Sequence, residues 1–202
     1  MMQTKGEITR RKILESAREL FYLNGYTNTS VDDILTASHA KKGNFYFHYR
    51  SKEELGFAVL DSFVQEQEAE IQAILSGDGR PLDRLVALFD QSVGRMVGSG
   101  CRGGCPVGNF AMEMSDIHDG FRDRVNRVFD RWVEMLRGLF DEARSRGELS
   151  PETDGAALAR LTVAVWEGAV MLAKAQKDTG VMRDCVRAFE ALLRWAETTP
   201  RK

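Results

Sequence analysis

Apolar residues recur at intervals of three and four along almost the whole chain, which is the spacing of one buried face of an α-helix. Between positions 8 and 23, for example, the stripe consists of Ile13, Leu14, Ala17, Leu20 and Phe21. No segment shows convincing period-two alternation, the pattern of a half-buried strand. The pattern therefore predicts an all-α fold of about nine helices, over residues 8–23, 31–37, 41–49, 52–76, 81–97, 106–115, 119–146, 154–177 and 181–197.

Local signals mark where several of these helices begin and end. Ser30 and Ser51 can cap the second and fourth helices, because a serine oxygen accepts a hydrogen bond from a free N–H group of the first turn. Pro81 suits the first turn of the fifth helix, and Gly25 suits a left-handed cap after the first. We expect a three-helix N-terminal domain over residues 1–52 and a larger helical body over residues 53–202.

The charge is unevenly distributed along the chain. The net charge of the 202 residues is −2, which by itself does not favour nucleic acid. Residues 1–52, however, carry a net charge of +4 and residues 53–202 carry −6. A polyanion would therefore bind at the N-terminal end. Chance explains so small an excess equally well.

The composition argues for a soluble protein of the cytoplasm. The first residues are polar and lack the apolar stretch of a secretory signal. We see no apolar run near 18 residues and expect no membrane span. Three cysteines do not form a disulfide framework. Residues 98–103 match the dinucleotide pattern G-x-G-x-x-G, but a helical segment precedes them instead of a strand, so no cofactor is expected.

The second and third helices form a helix-turn-helix pattern, two short helices joined by a tight turn after a longer supporting helix. The third helix concentrates Lys42, Asn44 and aromatic side chains. Lysine neutralises phosphates, and asparagine can bond adenine edges. Phe45 and Tyr49, four residues apart, can anchor this helix on the core. The alternative is an ordinary amphipathic helix with solvated lysines.

Four stretches within residues 8–56 carry a family resemblance, namely 13–21, 24–26, 29–34 and 42–55. Together they resemble the N-terminal domain of TetR-family repressors. The resemblance implies contacts with phosphates or base edges for Thr29, Ser30, Lys42, Gly43, Asn44, Tyr46, His48 and Lys52. Of these, Lys42, Gly43 and Asn44 would face bases or the nearby backbone, and the others would touch phosphates.

The turn at residues 38–41 departs from the family pattern. His39 occupies a position where the family has glycine and where a positive φ is expected, which costs a non-glycine residue about 1 kcal/mol. Lys41 replaces the hydroxyl that usually caps the recognition helix. We hypothesise that Lys41 contacts a phosphate.

The family pattern also implies that the last two helices, near 154–177 and 181–197, pair across a two-fold axis. A homodimer would read a palindromic double-stranded operator, since one short helix buries little surface. A small-molecule effector would bind inside the body beside the helix over 52–76. Large apolar residues in suitable helices are candidate pocket residues, although ordinary core packing explains most of them equally well: Phe63, Phe89, Met96, Phe110, Met114, Trp132, Trp166 and Met171.

Cys105 precedes Pro106 at the predicted start of a helix. Free N–H groups at such a position favour a thiolate. The segment Gly-Cys-Pro also resembles a branch of the family in which some members sense electrophiles or oxidants. Lys174 would stabilise the thiolate if it lay nearby. The alternative is a small packing cysteine and a solvated lysine. Cys101 and Cys105 could share a metal with His118, but no metal site is expected.

The sequence therefore predicts a ligand-responsive transcriptional regulator, most often a repressor, that a small molecule or reactive electrophile releases from DNA. It is not expected to be an enzyme, because no nucleophile–base pair, metal cluster or phosphate loop was found in the sequence. A helical interaction protein or an enzyme without DNA binding is the alternative.

Overall fold

A computed structural model describes residues 4–198, with side chains described for residues 4–194. Within these residues it contains nine helices and no strand. The helices are α1 (Lys5–Asn24), α2 (Val31–Ser38), α3 (Lys42–His48), α4 (Lys52–Leu75), α5 (Pro81–Gly98), α6 (Pro106–Met114), α7 (Asp119–Ser145), α8 (Gly155–Gln176) and α9 (Thr179–Thr198). The all-α prediction is confirmed, and most of the predicted bounds lie within one or two residues of those observed.

The first helix begins earlier than predicted. Thr4 caps α1, and its hydroxyl accepts a hydrogen bond from the N–H group of Glu7 at 3.2 Å. The Glu7 carboxylate accepts one in return from the Thr4 N–H group at 2.7 Å. This reciprocal capping box adds three residues to the helix.

The described residues form two compact units. Unit 1 comprises residues up to 66 together with 106–125, and unit 2 comprises 67–105 together with the chain from 126 onward. Helix α6 and the first part of α4 thus belong to the same compact unit as α1, α2 and α3. The division at residue 52 remains a prediction about function.

Unit 1 is built around aromatic rings. Phe110 of α6 stacks on Phe121 of α7 with ring centroids 5.4 Å apart. Tyr26, in the loop after α1, packs against both rings at 6.0 and 4.9 Å. A Cβ atom added to Gly56 of α4 would lie 2.6 Å from the Tyr26 ring, so only glycine allows this close approach.

In unit 2, helices α8 and α9 pack side by side and α5 packs against both. The Trp132 and Trp166 rings stack with their centroids 6.0 Å apart, and Phe89 lies 6.2 Å from Trp166. Arg84 of α5 is buried, and it donates hydrogen bonds to the Leu75 carbonyl and the Glu142 carboxylate, each at 2.5 Å.

Helix α8 is apolar enough, by length and composition alone, to cross a membrane. Its mean hydropathy reaches 1.5 over 18 residues. The search for an uninterrupted apolar run missed this because Arg160, Glu167 and Lys174 interrupt the helix. Only 33% of this window is buried. Helix α8 therefore has a buried face that packs in unit 2 and a second apolar face that is exposed.

Candidate nucleic-acid interface

Helices α2 and α3 are joined by the tight turn that the sequence predicts. Ser30 caps α2, and its hydroxyl accepts a hydrogen bond from the Asp33 N–H group at 3.1 Å, while the Asp33 carboxylate accepts one from the Ser30 N–H group at 2.8 Å. His39 follows α2 with φ 53° and ψ 28°. This left-handed conformation confirms the strain predicted at the position usually held by glycine.

Two aromatic side chains anchor α3 on unit 1. Phe45 is fully buried and Tyr49 is 2% exposed, with ring centroids 6.2 Å apart. The guanidinium of Arg10 lies over the Tyr49 ring at 5.5 Å. Burial raises the pKa of the Tyr49 hydroxyl. The anchoring role predicted for these two residues is confirmed, and it fixes which side of α3 faces outward.

The outward side of α3 presents polar and cationic groups. Lys41 occupies the N-cap position without a side-chain capping bond, as expected from the missing hydroxyl. The remaining predicted contact residues on this side are all exposed: Lys42, Gly43, Asn44 and Tyr46.

Sequence reasoning missed Phe47, the most exposed aromatic side chain of this surface at 82%. It lies one helical turn after Gly43 and therefore in the middle of the outward face. The signal was present in the sequence, because a helix that buries Phe45 and Tyr49 must turn position 47 away from the core.

The remaining predicted phosphate contacts differ in their surroundings. Thr29 is only 2% exposed, and its hydroxyl donates a hydrogen bond to the Gly25 carbonyl at 2.8 Å. The structure thus gives Thr29 a role inside unit 1, and we withdraw it from the phosphate contacts. His48 is half-buried. The ammonium of Lys52 lies over the Tyr26 ring at 4.3 Å, and burial lowers its pKa.

The loop between α1 and α2 is held by a residue of α6. The Glu113 carboxylate accepts hydrogen bonds from the N–H groups of Tyr26 and Thr27 at 2.9 and 2.7 Å. Burial raises the pKa of Tyr26 to about 12, and the charges of Glu53 and Glu113 add to the increase. We call this arrangement the Glu113 clamp. It couples α6 directly to the segment that precedes the helix-turn-helix.

Three predicted pocket residues belong to unit 1. Phe63 and Phe110 line a small cavity together with Tyr22 and Tyr26. Met114 is buried, and its sulfur lies 4.0 Å from the Thr27 hydroxyl.

Seven predicted pocket residues belong to unit 2, and their burial differs. The largest of them, together with Met96, are buried: Phe89, Trp132 and Trp166. The indole N–H of Trp132 is buried without a hydrogen-bond partner, which suits an interior binding site better than a dry core. Met171 is 59% exposed, since it lies outside the buried positions 169, 170 and 173 of α8. The structure therefore does not place Met171 in an interior pocket.

Cys105 is buried, and its side chain forms a hydrogen bond with the carboxyl group of Glu167 in α8. Lys174, the residue predicted to stabilise a thiolate, lies two helical turns further along α8. The ammonium of Lys177 donates a hydrogen bond to the Cys101 carbonyl at 3.0 Å. Among the residues with described side chains, no group of three His, Cys, Asp or Glu could hold a metal ion.

A helix-turn-helix with a polar, cationic outer face, carried by an all-helical chain, defines a DNA-binding protein. The model of the bacterial regulatory proteins of the tetR family matches residues 13–59. The model of the tetracyclin repressor-like C-terminal domain matches residues 81–189. The chain belongs to the TetR family and is a DNA-binding transcriptional regulator, not an enzyme.

Named relatives support this assignment. The chain is 32% identical to the transcriptional regulator AcuR of Cereibacter sphaeroides over 91% of this chain and 84% of the relative. It is 30% identical to the HTH-type transcriptional repressor DhaR of Mycobacterium sp. (strain GP1), over 91% and 92% of the two chains. A TetR transcriptional regulator from Chloroflexus aurantiacus has a similar structure, with a TM-score of 0.83, 32% identity and coverage of 96% and 97%.

Proposed function

We propose that this protein is a cytoplasmic repressor that binds a palindromic operator as a homodimer and is released by a small molecule or reactive electrophile. The observation that carries the proposal is the division of α3 into two faces. Phe45 and Tyr49 fix one face in unit 1, and the other face is free to enter a major groove.

Each group on the outer face of α3 has a role in this proposal. Lys41 and Lys42 neutralise phosphates, and Asn44 bonds the edge of an adenine. Phe47 makes an apolar contact with a thymine methyl group, which gives an 82% exposed phenyl ring a partner. Gly43, beside Phe47, lets the backbone approach the bases closely.

Residues around α3 supply the remaining phosphate contacts. Ser30 presents the N-terminus of α2, where free N–H groups and the helix dipole favour an anion. Tyr46, His48 and Lys52 contribute a hydroxyl, an imidazole and an ammonium group.

The dimer would form through exposed apolar stripes on α8 and α9. On α8 the stripe repeats at intervals of three and four residues, and Leu161 and Leu172 within it are 48% and 39% exposed. Leu192 of α9 is 62% exposed. The spacing matches the seam of a helix pair, so a second copy of the chain is the natural occupant. Two recognition helices would then read two half-sites.

The Glu113 clamp supports the release mechanism. An effector that prefers a displaced α6 would pull the carboxylate from the N–H groups of Tyr26 and Thr27. The loop before α2 would lose its support, and the state that binds DNA would become less populated. A coupling of about 1–3 kcal/mol corresponds to a change of about 5- to 150-fold in operator affinity.

Selection of bound duplexes from a random pool tests the proposal. We expect enrichment of a palindrome, and loss of enrichment when an effector or electrophile is added. The variant Lys42→Ala should then lower the slope of log affinity against log salt by about 1. The control variant Arg137→Ala removes a surface cation that pairs with Glu134 and should leave the slope unchanged. Failure to prefer any duplex over random DNA in low salt would overturn the proposal.

A further inference from the structure

A buried carboxyl group lies beside the thiol of Cys105 in unit 2. The two side chains are hydrogen-bonded, and Oε1 of Glu167 is buried without a partner. A buried acceptor without a partner is unfavourable, so such groups in folded proteins usually have a further role. Here the free oxygen belongs to the one carboxyl group that already contacts a nucleophilic side chain.

The chemistry of this pair is that of a thiol and a base. A thiol reacts with electrophiles as its thiolate, so its reactivity depends on where the proton goes. Burial raises the pKa of Glu167, which brings it closer to that of a thiol, while the bond to Cys105 opposes the increase. Transfer of a proton from sulfur to the carboxylate conserves a single negative charge within the pair. The cost of burying a second charge is thereby avoided.

We propose that Cys105 and Glu167 form a modification site for small uncharged electrophiles, in which Glu167 takes the proton of the thiol as sulfur is alkylated. The inference rests on the proposed function only in that modification would serve as an effector signal. With iodoacetamide as the probe, the Sγ–CH2 bond forms, the C–I bond breaks and iodide leaves. The thiol proton passes to the Glu167 carboxylate and then to solvent. A negatively charged reagent is disfavoured, because the pair already carries one negative charge.

Other charged groups lie near this pair. They are Lys174 on the same helix, Lys177, which bonds the Cys101 carbonyl, and Arg102 in the segment that contains Cys105. A cation favours the thiolate at every pH, so these groups cannot reverse an effect between acid and alkaline solution. A base that shares its proton with the thiol can do so, because the two groups titrate as a pair.

The test is the rate of Cys105 alkylation by iodoacetamide against pH, followed by peptide mass spectrometry on the full-length protein. At about pH 6 we expect the wild type to react about 10-fold faster than Glu167→Gln. At about pH 9.5 the order should reverse, because in the wild type a thiolate must then form beside a carboxylate. The control Glu152→Gln changes an exposed carboxylate and should follow the wild type.

A second comparison uses charge at constant size. Relative to free N-acetylcysteine, the wild type should discriminate against iodoacetate in favour of iodoacetamide by about 10-fold, and Glu167→Gln should lose this discrimination. Parallel pH profiles or an unchanged reagent preference would overturn the proposal. If Glu167→Gln does not fold, the wild type alone decides. A plateau in acid followed by a second rise supports the pair, whereas a single rise near the ordinary thiol pKa refutes it. None of these rates requires DNA, so a failure here is distinct from a failure of operator binding.

Discussion

The Glu113 clamp provides the sharpest test of how α6 supports the DNA-binding helices. The variant Glu113→Ala removes both acceptors, so the N–H groups of Tyr26 and Thr27 lose bonds of 2.9 and 2.7 Å. A hydrogen bond to a charged group contributes about 1.5–3 kcal/mol when it is buried. These two bonds are partly buried and exposed, so the lower end applies. We expect a loss of about 2–3 kcal/mol in the free energy of unfolding.

The variant Glu113→Gln separates charge from shape. Its carbonyl oxygen can retain one of the two bonds, but its NH2 group then faces the N–H donor that Glu113 accepted with its other oxygen. We expect it to lose at least half as much stability as Glu113→Ala. The control Glu134→Ala breaks a surface pair with Arg137 and should cost less than about 1 kcal/mol.

Urea unfolding followed by circular dichroism at a fixed protein concentration measures these differences. Hydrogen exchange then locates them. The amides of Tyr26 and Thr27 should exchange roughly 30-fold faster in Glu113→Ala than in the wild type, corresponding to about 2 kcal/mol of local stability. Unchanged protection of these two amides would show that the clamp contributes nothing in solution and would refute this reasoning.

Three further predictions concern packing, pH and assembly. In Gly56→Ala the new methyl group would lie 2.6 Å from the Tyr26 ring, and this overpacking should outweigh the gain in helix propensity and lower the melting temperature. The bond from Arg84 lowers the pKa of Glu142. Its stabilisation is therefore present above the ordinary carboxyl pKa and lost as pH falls through the lowered one, so Glu142→Gln should be less stable than wild type at neutral pH and lose less stability in acid, as melting curves would show. Leu172→Glu should shift sedimentation from dimer to monomer with helix content unchanged, and a dimer that persists would contradict the proposed seam.

The helices could be predicted because their signals are local. Apolar spacing gives the face, and a cap such as Ser30 or a first-turn proline such as Pro81 gives the boundary. The start of α1 was missed although Thr4 and Glu7 have the spacing of a capping box. That error reflects attention to apolar residues alone, since no apolar residue stands between Thr4 and Glu7.

The pairing of side chains distant in sequence could not be read in the same way. Glu167 and Lys174 lie two turns apart on one face of α8, and nothing in the sequence shows which of them reaches Cys105. The Glu113 clamp joins residues 86 and 87 positions apart. A carboxylate that bonds backbone N–H groups leaves no complementary side chain in the sequence to reveal it.

Helix α6 connects the two proposals along the chain. Cys105 immediately precedes its first residue, Pro106, and Glu113 is its next-to-last residue. At 1.5 Å per residue this distance is about 12 Å of continuous helix, short enough to move as a rigid rod. If alkylation of Cys105 weakens operator binding through this rod, then Glu113→Ala, which already uncouples it, should leave alkylation little further effect. A double-mutant cycle of operator affinity, using iodoacetamide treatment as one change and Glu113→Ala as the other, measures this directly. Strong non-additivity is the expected result, because the two changes act on one element, whereas additive losses would place the signal on another route.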